Sequence, residues 1–148
     1  MIAVDTNILV YAHREDSPWH RAAYARLKEL AEDKAPWTIP WPCLHEFLAI
    51  VTHPNIYRPP TPLGRALEQV EFWLDSPSLH SIGEMEGYWK TLKAVMLAGN
   101  AIGPKTHDGR IVAICRQHGV RILWSADRDL SRFPGLKIVN PLISETQG

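Results

Sequence analysis

Cysteine is scarce in this chain: Cys43 and Cys115 are two among 148 residues, and they form no CxxC pair. A disulfide framework is therefore not expected, and a domain of this length buries a core without one. Both cysteines sit in apolar runs, so they read as reduced core residues, as in a cytosolic protein. The seven histidines do not pair with them at ligand spacing, which argues against structural zinc. An excess of charge of either sign is also missing, since 16 Lys and Arg balance 16 Asp and Glu. That balance speaks against a protein that coats nucleic acid through bulk positive charge. It leaves room for an enzyme whose acids gather at a metal site and whose bases lie around the rim. No apolar run approaches the roughly 20 residues that a membrane span needs. Met1–Val4 leads straight into Asp5 with no basic leader, so a signal peptide is not expected and the expected compartment is the cytoplasm.

What is present is an alternation of short apolar runs and amphipathic stretches, with no repeat and no low-complexity linker. Met1–Val4, Trp37–Pro40, Ser78–Ile82, Val120–Trp124 and Leu136–Val139 read as strands. Between them, helical spacing predicts a turn over Ile8–Ala12 and a helix over roughly residues 18–33. A third follows Pro42 through Leu44, Phe47, Leu48 and Val51, and a fourth covers Leu63–Leu74, with Thr61 as its cap after a proline-rich loop. Tyr88–Met96 predicts a fifth, stopped at Gly99. Ala101–Thr106 reads as a loop, and the helix through Ile111–Cys115 ends at Gly119. Ser125–Phe133 reads as a polar loop, and the tail beyond Pro141 carries no signal. Strands this short and continuously apolar are buried on both faces, which points to a parallel α/β sheet with right-handed crossovers. In such sheets ligands bind outside the carboxyl ends of the strands.

Four carboxylates fall on that side. Asp5 follows the first strand and Asp127 the Val120–Trp124 strand, Asp108 opens the helix between them, and Glu46 lies near the start of the helix after the second strand. Each has an ordinary explanation alone. Asp5 and Asp108 can cap helices, Glu46 can be a solvated helix charge, and turn chemistry accounts for Asp127 and Asp129. Together they would converge, and like charges in a partly buried site repel by several kcal/mol unless protons or a cation neutralise them. Hard oxygen donors without His or Cys suit Mg²⁺ or Mn²⁺, ions that assist phosphodiester hydrolysis. Lys105, Arg110, Arg128 and Arg132 flank these acids, either as phosphate contacts or as ordinary solvated charges. Of the six tryptophans, Trp73 and Trp124 lie in apolar patterns. Trp19, Trp37 and Trp41 stand near segment ends, where they could meet a partner or stack on bases, and burial is expected for most.

The opening Ile2-Ala3-Val4-Asp5-Thr6-Asn7-Ile8-Leu9-Val10-Tyr11-Ala12 resembles the start of VapC-type toxins of the PIN-domain family. Cys43-Leu44-His45-Glu46-Phe47 is similar to that family's helix glutamate segment, and His107-Asp108 through Gly119 to its third-acid helix. Ser125-Ala126-Asp127-Arg128-Asp129-Leu130, followed by Phe133-Pro134-Gly135-Leu136, resembles its closing signature. The resemblance covers nearly the whole chain and implies one domain over 1–148, a three-layer α/β/α sandwich with a central, mostly parallel sheet. It further implies an endoribonuclease dependent on Mg²⁺ or Mn²⁺, usually dimeric and neutralised by a cognate antitoxin that lays an apolar helix in a groove. Carried over by position, Asp5, Glu46 and Asp108 match the core metal carboxylates and Asp127 the fourth acid. Thr6 or Asn7, and Ser125, match positions that orient water or ligands. Asp129 takes the place of Asp127 if the loop is turned. Leu130 stands where an aromatic is frequent, and His107 is a less typical neighbour for Asp108, read as a solvated loop residue or an RNA contact.

Other classes fit less well. A phosphoryl-transfer enzyme with an aspartate nucleophile needs a second Asp two residues after the first, where Asn7 stands. A receiver-type signalling domain needs paired acids after the first strand, and a structure-specific DNA nuclease carries more carboxylates and long insertions. A PIN-like scaffold that binds RNA or protein without cutting is the remaining alternative, and the presence of all four acids argues against it.

Overall fold

The computed structural model describes residues 1–143, so the last five residues of the expected domain lie outside the described residues. Four strands, β1 (Ile2–Val4), β2 (Trp37–Thr38), β3 (Ile122–Trp124) and β4 (Lys137–Val139), form one sheet in the order β2-β1-β3-β4. Every pairing is parallel, with Ile2 opposite both Trp37 and Ile122, and Trp124 opposite Val139. The helices are α1 (Thr6–His13), α2 (His20–Glu32), α3 (Trp41–Val51), α4 (Leu63–Leu74), α5 (Tyr88–Gly99) and α6 (Lys105–Gln117). Successive residues on a strand point to opposite faces. Ala3, Val4 and Leu123 are all 0% exposed, so helices cover the sheet on both sides, as a three-layer α/β/α sandwich requires. The chain leaves β1 for β2 on one side and later returns to β3 on the other. The order therefore reverses between β1 and β3, and the crevice at their carboxyl ends is the topological switch point of the sheet.

Several local expectations are corrected. Ser78–Ile82 is not a strand; it touches the outer edge of the sheet through two isolated parallel bridges, Trp37 to Leu79 and Pro40 to Ile82. Pro40 has no N–H to give, so the ladder cannot run on. Thr61 does not cap α4, whose N-cap is Pro62 with no side-chain bond. The Thr61 hydroxyl instead bonds His13 Nε2 at 3.1 Å and accepts from Arg14 Nη1 at 3.2 Å. Gly99 does not stop α5; Asn100 does, in the left-handed region at φ 46°. Gly99 is the last residue of α5, and a Cβ there would overlap the Phe133 ring. The loop over 101–106 is shorter than expected, since α6 already begins at Lys105. The polar loop after β3 contains a short 3₁₀ helix, Arg128–Arg132. Gly119, at φ +69°, does end α6. Leu130 is buried in the core and His107 is exposed. Trp37, Trp73 and Trp124 are buried, but Trp19, Trp41 and Trp89 are exposed, so burial holds for only half of the tryptophans. Both cysteines are buried and free. Among the described residues, no helix is long and apolar enough to cross a membrane.

Candidate active site

The sheet places Asp5 and Ser125 side by side. The ladder continues one residue past each strand, because the Asp5 N–H donates to the Trp124 carbonyl at 2.9 Å and the Ser125 N–H to Val139 at 3.0 Å. Asp5 is the N-cap of α1, its Oδ1 accepting from the Thr6 N–H at 2.8 Å. Its Oδ2 accepts from Ser125 Oγ at 2.7 Å. Ser125 Oγ in turn accepts from Asn7 Nδ2 at 3.1 Å and from the Asp127 N–H at 3.0 Å. Asn7 Oδ1 accepts from the Ala126 N–H at 3.1 Å, locking the α1 start to the segment after β3. Thr6 Oγ1 donates to Glu46 Oε2 at 2.8 Å, which ties α3 to the same junction. Thr6, Asn7 and Ser125 thus tie the segments that carry Asp5, Glu46 and Asp127 to one another.

The carboxylates feel one another. The Asp5 carboxyl is pushed up to about 6 from an ordinary 3.8. Burial is the main cause, and it outweighs the Ser125 and Thr6 hydrogen bonds that favour the charge; Glu46 and Asp108 add repulsion. Asp108, in the first turn of α6, is also raised, by burial, then by Asp127, and further by Glu46 and Asp129, with Lys105 opposing. The N-cap of α6 is Pro104, so Asp108 is a first-turn acid and not the cap. Asp127 caps the 3₁₀ helix by accepting from the Asp129 N–H at 2.9 Å. Asp129 turns outward into an ion pair with Lys105, which draws its carboxyl below the usual range.

Two flanking bases are therefore already engaged. Lys105 is held by Asp129, and Arg110 Nε donates to Glu84 Oε1 at 2.6 Å. Arg128 and Arg132 are exposed and make no ion pair among the described residues. Glu84 escaped the sequence reading because it lies 26 residues from Arg110 in an irregular segment. Cys43 escaped it as well, being read only as core; its Sγ lies 3.7 Å from Asp5 Oδ1. Its position three residues before Glu46, on one face of α3, was the available signal.

The donor set is all oxygen and strongly acidic, which suits a hard divalent cation. A buried carboxyl held above its ordinary range is a group that a cation would relieve. Among the described residues, no three His, Cys, Asp or Glu side chains stand close enough to share an ion as they are placed. The fit is one of charge and donor chemistry. Away from this pole, a groove of about 700 Å³ opens between α2 and α4, lined among others by His13, Tyr24, Trp37, Gln69, Phe72 and Trp73.

A parallel α/β sheet with acids gathered at its switch point defines a class, and the PIN domain family model matches residues 2–136. The chain belongs to the PIN-domain family, and within it to the VapC type. The VapC ribonuclease Mb2897 of Mycobacterium bovis is 31% identical over 146 residues, 99% of each chain. Ribonuclease VapC48 of Mycobacterium tuberculosis is 30% identical over 137 residues, 93% of this chain and 94% of its own. The fold is matched by VapBC2 from Rickettsia felis, solved bound to a DNA fragment from its promoter. That match has a TM-score of 0.69 at 19% identity and covers 94% of this chain and 98% of the other.

Proposed function

We propose that the chain, as a single PIN domain over 1–148, is the toxin of a toxin–antitoxin pair and a metal-dependent endoribonuclease. The observation that carries this is Asp5, a carboxyl buried at the switch point, raised to about 6, and electrostatically coupled to Glu46 and Asp108. Asp5, Glu46, Asp108 and Asp127 would hold Mg²⁺ or Mn²⁺. When bound, such an ion lowers the pKa of water and offsets charge building on a phosphodiester.

The chain's own residues do the rest. Asp5 would serve as a ligand held in place by the Thr6 N–H and the Ser125 hydroxyl. Thr6 fixes Glu46, and Ser125 Oγ orients Asp127 by accepting from the Asp127 N–H. Arg128 and Arg132, together with Lys105 and Arg110 once released from Asp129 and Glu84, draw RNA phosphates to a pole that repels them. The substrate is an RNA, with transfer RNA and a ribosomal RNA loop both consistent with this chemistry. The cytoplasm is the compartment where it would be met. The antitoxin would place an apolar helix in the α2–α4 groove, whose wall carries Trp37, Trp73 and the exposed Phe72. A homodimer accords with the other exposed apolar side chains, Leu63, Trp89 and Leu97 among them.

The test is cleavage of total cellular RNA by the purified chain, with Mg²⁺, with Mn²⁺ and with EDTA, beside Asp5→Asn. Discrete fragments that require metal and vanish in the variant are expected. No cutting in any condition, with antitoxin shown to be absent, would leave the non-cleaving RNA- or protein-binding scaffold.

A further inference from the structure

Three donors from three segments grip the Asp5 carboxylate. Thr6 N–H and Cys43 Sγ–H meet Oδ1 at 2.8 and 3.7 Å, and Ser125 Oγ–H meets Oδ2 at 2.7 Å. We propose that Cys43 is a positioning residue for the metal site, its thiol proton fixing the rotation of the Asp5 carboxylate. The inference rests on Asp5 being a cation ligand, as proposed above.

The direction of the bond follows from chemistry. An ionised carboxylate only accepts, so the thiol beside it must donate. Cys43 is 0% exposed. An ordinary thiol keeps its proton at neutral pH, so Cys43 has one to donate. A carboxylate offers about four lone-pair sites, so three donors leave about one for a cation. Ser125 and the Thr6 N–H hold different oxygens, and come from the residues that follow β3 and Asp5. Cys43 is the contact from α3, the helix that also carries Glu46. Cys43 and Glu46 are three residues apart and so share a helix face. Through Cys43 to Asp5, and Thr6 to Glu46, α3 meets the β1–α1 junction by two bonds that set the separation of two carboxylates. A purely packing role would need volume at this position but no proton.

The experiment is calorimetric titration of the full chain with Mn²⁺, using wild type, Cys43→Ala, Cys43→Ser and Asp5→Asn. Losing a partner that orients a ligand costs about 10–100-fold in metal affinity, so Cys43→Ala is expected at least about tenfold weaker, and Cys43→Ser within about threefold of wild type. Cys43→Ala binding like wild type would overturn the proposal and leave the metal site standing. So would Cys43→Ser as weak as Cys43→Ala, since volume rather than the proton would then matter. Wild type showing no Mn²⁺ heat that Asp5→Asn abolishes would bring down the metal-site reading, and this proposal with it. Should Cys43→Ala fail to unfold cooperatively, Cys43→Val, which fills the space without a donor, takes its place.

Discussion

Buried Asp5 should make the metal-free protein less stable as pH rises, the reverse of the usual carboxylate. A carboxyl whose folded pKa lies above its unfolded one supports the fold fully only below the unfolded value. That support is lost as pH climbs through the folded value. Here the window runs from an ordinary 3.8 to about 6. At about 1.4 kcal/mol per pKa unit the loss comes to about 3 kcal/mol. A domain of this size has roughly 5–15 kcal/mol in all, so the effect is measurable. Asp5→Asn is neutral throughout and should not show it. Its absolute stability decides little. Both Thr6 N–H and Ser125 O–H point at the group, so an Asn NH₂ must face one of them, at a cost of about 1–3 kcal/mol. The slope is the clean quantity. Urea unfolding in EDTA should show the stability of wild type relative to Asp5→Asn falling by about 3 kcal/mol between about pH 4 and pH 7. Mn²⁺ added near neutral pH should recover it in wild type alone. Parallel profiles for the two proteins would refute the reasoning, because they would mean that Asp5 is not held above its unfolded value.

Ser125→Ala removes one donor and strands two, the Asn7 amide and the Asp127 N–H, so denaturant melts should show a loss of about 2 kcal/mol or more. Gly99→Ala drives a methyl into the Phe133 ring and should cost about 1–3 kcal/mol in thermal melts. Gly109→Ala meets only the end of the Met96 side chain, which is flexible, and should cost less. Metal-dependent RNA cleavage should fall at least about tenfold in Asp127→Asn and stay near wild type in Asp129→Asn, because Asp129 is turned outward to Lys105. The opposite ranking would make Asp129 the fourth acid.

The parallel sheet and the placing of Asp5 and Asp127 were legible because they depend on local order alone. A short apolar strand ending in an acid, followed by a helix, puts that acid at the carboxyl edge wherever the strand lies in the sheet. What was not legible depended on partners distant in sequence. Thr61 looks like a cap until His13 and Arg14 take its hydroxyl. Lys105 and Arg110 look like open phosphate contacts until Asp129 and Glu84, 24 and 26 residues away, are seen to hold them. Ser78–Ile82 has strand composition, but its neighbour is a proline at the decisive position. Cys43 has the composition of core and sits in the core, and only its contact with Asp5 separates packing from chemistry.

The capping role of the acids does not account for their electrostatics, and the magnitudes say why. Asp5 caps α1 and Asp127 caps the 3₁₀ helix, as turn chemistry alone would predict. A carboxylate at a helix N-terminus gains typically 0.3–1 kcal/mol from the dipole, and each hydrogen bond to a charged group adds about 1.5–3 kcal/mol. Those gains favour the ionised form, so capping alone should leave Asp5 below its ordinary value. It stands about two units above, so burial and the neighbouring acids together exceed everything that the caps supply. A residue needed only as a cap would relieve this by substitution to Ser or Thr, which cap a helix about as well and carry no charge. A carboxyl standing there despite that penalty points to a use for its negative charge. On the proposed function, a divalent cation shared with Glu46, Asp108 and Asp127 would be that use, since it would remove the penalty at its source.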